Sequence, residues 1–79
     1  MPPAQRQILH ARIVEAIERR YADRLADHVE RLAHHAVLGE VWDKAVGYLR
    51  EAAARATARS AHREAVAYLE QAQIGRAHV

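Results

Sequence analysis

Ala45-Val46-Gly47-Tyr48-Leu49-Arg50-Glu51-Ala52 returns twenty positions later as Ala65-Val66-Ala67-Tyr68-Leu69-Glu70-Gln71-Ala72, with five of the eight letters unchanged. In each copy the two outer alanines and the Leu between them, at spacings of four and three, fall on one stripe of an α-helix, and the Tyr stands beside that stripe. Small residues at i and i+7 let another helix come close, while Leu and Tyr fill the gaps on either side. Short helical units written twice bury their apolar faces against each other, which is how stacked-helix scaffolds begin. The expected fold is therefore all-α.

Outward from this pair, the same periodicity places four helices at about 4–20, 23–38, 41–58 and 61–73, within one segment covering residues 1–73. Met1-Pro2-Pro3 is a stiff lead-in, because Pro fixes φ and cannot donate a helical hydrogen bond beyond the first turn. In the first helix Leu9, Ile13, Ala16 and Ile17 share a face, widened by His10, Val14 and Tyr21. Asp23 is the expected N-cap for the second helix, whose stripe is Leu25, Val29, Leu32 and Ala36; Gly39 closes it as the residue expected at positive φ. Trp42, Ala45, Leu49 and Ala52 form the inward stripe of the third helix, with Gly47 tolerated where a backbone approaches closely. Ser60 offers an N-cap to the fourth, which turns Ala65, Leu69 and Ala72 inward. Short loops favour antiparallel neighbours and hence two helical hairpins. The last six residues, Ile74 to Val79, break the pattern and resemble the peptide encoded by a sequencing adapter, so they are expected to be a non-native tail.

The core such helices can build is thin. Of the 51% hydrophobic residues, 18 are Ala, there is no Phe, and aromatics make up 5% of the chain. Burial worth roughly 25 cal/mol per Å² against about 1.5 kcal/mol per ordered residue leaves so small a chain near balance, and neighbours are expected to stabilise it. The absence of Cys excludes a disulfide framework and thiolate metal sites. With no run of eighteen apolar residues and no signal-like N-terminus, the expected location is cytoplasmic and no membrane partner is expected. The net charge of +2 comes from 12 basic residues interleaved with 10 acidic ones, so nucleic acid is not the expected partner: a phosphate-tracking surface needs its cations gathered on one face.

No constellation carries site chemistry. His28, His34 and His35 are the best metal hint, but His34 lies about 100° around the helix from His35, so one helix cannot aim all three rings at one ion. Glu15, Glu18, Glu30, Glu51, Glu64 and Glu70 all fall on polar helix faces, where a carboxylate keeps its ordinary pKa and has no pocket to act in. Ser60 and His62 are two residues apart without the geometry of a nucleophile and its base. Tyr48 and Tyr68 could stack bases, yet they read as packing residues at helix margins. No catalytic residue, cofactor or metal is expected, and the chain is read as non-enzymatic.

Trp42-Asp43-Lys44-Ala45-Val46 followed by Tyr48-Leu49 and Ala52 resembles the second helix of a tetratricopeptide repeat. More broadly, Leu9-His10 with Ile13 and Ala16, Leu32-Ala33-His34-His35, Trp42 with Lys44-Ala45, and Ala58-Arg59-Ser60-Ala61 with Glu64-Ala65 and Leu69 are similar to the helical region that follows the ATPase module in large bacterial signalling proteins. Those proteins include ATPases fused to class III adenylate/guanylate cyclases and LuxR-type regulators. The resemblance implies an irregular, tetratricopeptide-like stretch of a longer α-solenoid. Its role would be a non-catalytic scaffold or linker whose partners are proteins, either adjacent domains or a separate chain. The second copy comes after twenty residues instead of the thirty-four of a regular repeat, so helix three would serve both hairpins. Neither a Walker motif nor a cyclase carboxylate is present. The rival from another class is a free-standing basic helical module that binds nucleic acid.

Overall fold

In a computed structural model that describes residues 2–78, four α-helices follow one another: α1 (Pro3–Arg20), α2 (Val29–Leu38), α3 (Trp42–Ala58) and α4 (His62–Arg76). Met1 and Val79, assigned above to the lead-in and the tail, lie outside the described residues. A 3-10 turn, Leu25–His28, joins α1 to α2. The described residues contain no strand. Each helix packs mainly on the next in the chain, α1 on α2, α2 on α3 and α3 on α4.

The 20-residue duplication extends beyond the helices to the turns that join them. At the end of α2 the amide of Val41 donates to Ala36 O (2.9 Å) and that of Glu40 to Val37 O (3.0 Å); at the end of α3, Ala61 donates to Ala56 O (2.8 Å) and Ser60 to Thr57 O (3.0 Å). This pair of bonds defines the Schellman motif, which satisfies the last free carbonyls of a helix by setting one residue left-handed. Those residues are Glu40 (φ 53°) and Ser60 (φ 62°). Both turns then leave the motif alike, through Val41 (φ −88°, ψ 69°) and Ala61 (φ −88°, ψ 70°). One turn geometry used twice gives α2–α3 and α3–α4 the same hand-off.

Several expectations change here. Gly39 is not the left-handed residue: its φ is −84°. It is Gly because a Cβ there would sit 2.7 Å from the Ala11 backbone nitrogen and 3.0 Å from the Ala11 Cα, so α1 crosses directly over it. Ser60 caps nothing, since it occupies the left-handed position and the Ala61 that follows has no side chain able to cap. Asp23 is no cap either; Arg24 precedes the 3-10 turn and makes no side-chain cap bond. Gly47 meets nothing within 4 Å, so no close approach requires it. Finally, α4 continues through Ile74 and Gly75 to Arg76, past its expected end at 73, because Gly75 brings the helix against Val46 and Trp42.

The core sits between consecutive helices. Val14, Ile17, Leu32, Ala36 and Ala45 form one cluster, and Ala33, Leu49 and Ala72 form a second. Of the expected inward residues, Ile17, Val29, Leu32, Ala36, Ala45, Leu49, Ala52, Ala65 and Ala72 are buried, whereas Ile13, Leu25 and Trp42 are half-buried. Leu9 and Leu69 depart from expectation, being 45% and 48% exposed. In α1 the inward stripe is rotated from Leu9 toward His10, Ala11 and Val14, because the close approach of Gly39 fixes which side of α1 meets α2. Leu69 is exposed because, among the described residues, no helix lies against the side of α4 that carries it.

Candidate functional site

Two polar nodes tie each of the later helices to the helix two places earlier, and neither was visible as a site in the sequence. At the first, Lys44 Nζ donates to Glu18 Oε1 at 2.7 Å and the Tyr48 hydroxyl donates to Glu18 Oε2. Helix geometry makes this possible, since Lys44 and Tyr48 are four apart and therefore adjacent on α3. Glu18 is half-buried, not on the open polar face expected of it. Burial alone would push its carboxyl up, but the hydrogen bonds from Lys44 and Tyr48, with the Lys44 charge, outweigh this and hold it below the usual carboxylate range. Burial, then the Glu18 hydrogen bond and charge, push the Tyr48 phenol well above its ordinary value. Lys44 is raised by the Glu18 hydrogen bond. Near neutral pH the node is thus a carboxylate held by an ammonium and an un-ionised phenol, an arrangement that clamps and does not supply a proton acceptor or nucleophile.

The second node is its counterpart one unit later. Arg59 Nη1 donates to Glu30 Oε1 (3.1 Å), Arg59 Nη2 to Glu64 Oε2 (2.5 Å), and the Tyr68 hydroxyl to Glu30 Oε2 (3.3 Å). Tyr68 stands twenty residues after Tyr48 and Glu64 twenty after Lys44, so the charged residue four before each Tyr was the sequence signal. The reversal of charge from Lys44 to Glu64 is offset by Arg59, which bridges the two carboxylates. This node is more exposed, and its ion pairs contribute little to stability.

The histidines separate as helical spacing requires. His10 Nδ1 and His35 Nδ1 are 2.8 Å apart with stacked rings, so one ring donates its proton to the other across α1 and α2. Burial first, then the charges of His34, His10 and Arg31, hold His35 below the usual histidine range. His28 instead stacks on Tyr21 with ring centroids 3.9 Å apart, fastening the 3-10 turn to the end of α1. His34 is exposed and edge-on to His35. Among the described residues, no group of three His, Cys, Asp or Glu side chains is placed to hold a metal ion.

The surface depressions are shallow and open. One, lined by Asp43, Val46, Arg50 and Arg76, lies in the groove between α3 and α4; another, lined by Gln5, Ile8, Leu9 and Arg12, lies on the outer side of α1. Among the described residues no helix is long and apolar enough to cross a membrane. No protein-family model, curated protein or solved structure matches the chain.

Proposed function

We propose that the chain is a non-catalytic helical-repeat scaffold of tetratricopeptide-like character. It would act in the cytoplasm as part of a multidomain signal-transduction ATPase, of the kind joined to a nucleotide cyclase or a transcriptional regulator, and contact protein. The observation that carries this is the paired turn: two Schellman motifs of the same geometry, twenty residues apart, hand one helix to the next. Repetition of a helix-and-turn unit builds an extended face from nearest-neighbour contacts, and such faces bind proteins. Coupling would follow from the Tyr–Glu nodes, which join every second helix and carry a shift in one unit to the next. The interleaving of 12 basic with 10 acidic residues favours this over a nucleic-acid interface, and Lys44 and Arg59 are in addition committed to carboxylates.

Genomic sequence on both sides of this reading frame tests the assignment. An ATPase module encoded in frame upstream supports it, and deletion of α1–α4 from that protein should uncouple ATP hydrolysis from output. Unchanged coupling after the deletion, or flanks with no ATPase module, would overturn it.

A further inference from the structure

The same 20-residue step that relates the turns also relates two helix faces, and the two are covered differently. On α3 the stripe Trp42, Val46, Leu49, Ala53 faces α4; Leu49 is 1% exposed and packs with Ala72, while the α4 backbone at Gly75 closes over Val46 and Trp42. Twenty residues on, the matching stripe of α4 is His62, Val66, Leu69, Gln73. Here Val66 is 53% and Leu69 48% exposed. Sequence does not explain the difference, because Val and Leu are retained at both positions; what changes is that α4 covers the first stripe, and among the described residues no helix covers the second.

We infer that the Val66–Leu69 face of α4 is a docking face for one more α-helix of the chain's own pattern, with small residues at i and i+7 and Tyr at i+3. That pattern is read from the two dockings present. α3 turns Ala45, Tyr48 and Ala52 toward the preceding helices, and α4 turns Ala65, Tyr68 and Ala72 the same way, with all four alanines buried. Small residues at this spacing set the interhelical distance at which Leu49 reaches Ala33 on one side and Ala72 on the other. Leu69 is the equivalent of Leu49, and the uncovered face continues an interface the fold has already made twice. The outer face of α1 is not the complement. It is exposed too, but it presents Ile8 and Leu9, whose bulk would hold the helices further apart.

This deepens the scaffold proposal and rests on it, yet its test is independent of any signalling output. A second copy of residues 57–76, inserted directly after Arg76, keeps Gly75 against Val46 and Trp42 and places a fifth helix in the register by which α4 follows α3. The expected result is a single cooperative thermal transition with its midpoint raised by about 5 °C or more, as an added repeat interface requires. Leu69→Lys should abolish that rise in the extended chain while moving the original chain's midpoint by no more than about 4 °C, the scale of a surface substitution. Amides of the fifth helix that exchange without protection, with the midpoint unmoved, would overturn the inference. So would sedimentation of the original chain as a dimer that Leu69→Lys dissolves, since the occupant would then be a second α4. Flanking sequence without an ATPase would remove the proposed parent and leave these results untouched.

Discussion

Gly39→Ala and Glu40→Gly should change stability in opposite directions, although helix-capping rules applied to the sequence alone place the special backbone position at Gly39. At Gly39 the backbone has ordinary negative φ, so Ala is conformationally acceptable there and would stabilise by roughly 0.4–1 kcal/mol if space allowed. Space does not allow it. The new Cβ would lie 2.7 and 3.0 Å from the Ala11 nitrogen and Cα and 3.1 Å from His35 O, all backbone atoms that no rotamer change can move. Either α1 lifts from the end of α2, loosening Val14 and Ile17, or the turn shifts; overpacking of this kind costs about 1–3 kcal/mol. Glu40, by contrast, holds φ 53°, where a side chain costs roughly 1–2 kcal/mol that Gly avoids. Allowing for the extra freedom Gly confers on the unfolded chain, Glu40→Gly should stabilise by about 0.5–1 kcal/mol. Urea unfolding followed by circular dichroism at 222 nm reads both values, and in a domain of this size each kcal/mol moves the thermal midpoint by about 4–8 °C. A neutral or stabilising Gly39→Ala would refute the close crossing of α1 over the α2–α3 turn. A Glu40→Gly that destabilises by about 1 kcal/mol would refute the assignment of the left-handed residue.

Gly47→Ala should stabilise by up to about 1 kcal/mol, since Gly47 is exposed mid-helix with nothing within 4 Å; a destabilised variant in the same urea assay would show that something packs there. Leu49→Ala should cost about 2–5 kcal/mol because the side chain lies fully buried between Ala33 and Ala72, and a loss below about 1 kcal/mol would place α4 away from α3. Tyr48→Phe should cost about 1–2 kcal/mol by taking a donor from half-buried Glu18, and Tyr68→Phe less than about 0.5 kcal/mol at exposed Glu30; equal losses would contradict the difference between the nodes. Stability should also fall with acid. His35 has a folded pKa below its ordinary value, so its contribution is fully present above about pH 6.5 and is lost as pH falls from there through the folded value. His35→Gln should flatten the slope of midpoint against pH in that range, and an unchanged slope would sink the burial of His35 as its source.

Periodicity located the elements because the apolar stripes of α3 and α4 follow a 3.6-residue spacing with few exceptions. On α1 it set Leu9 and Ala16 inward although both are exposed, because the residues facing α2 and α3 there include His10, Ala11 and Glu18, which carry little hydrophobic signal. A local pattern reports only which residues are apolar; Gly39 decides the rotation of α1 by letting a distant backbone in, and that contact spans 28 positions. The capping errors share one cause. Ser60 and Gly39 have the chemistry of caps, but the Schellman bonds satisfy the helix ends through the backbone and need only one left-handed residue, which Glu40 and Ser60 supply at some strain. Nothing local in the sequence marks Glu18, because its partners lie 26 and 30 residues away.

The two nodes also answer a problem that an alanine-lined stack creates. Buried Ala36, Ala45, Ala52, Ala65 and Ala72 give the helices nearly featureless faces, and smooth small-residue surfaces let helices slide and rotate at little cost. Something directional must select one register. A phenol hydroxyl reaching a carboxylate two helices back is directional in both distance and angle, and because it skips the intervening helix it constrains two interfaces at once. At Glu18 the lock is reinforced by Lys44 and partial burial, whereas at Glu30 it is solvated and longer. Register should therefore be held more tightly between α1 and α3 than between α2 and α4.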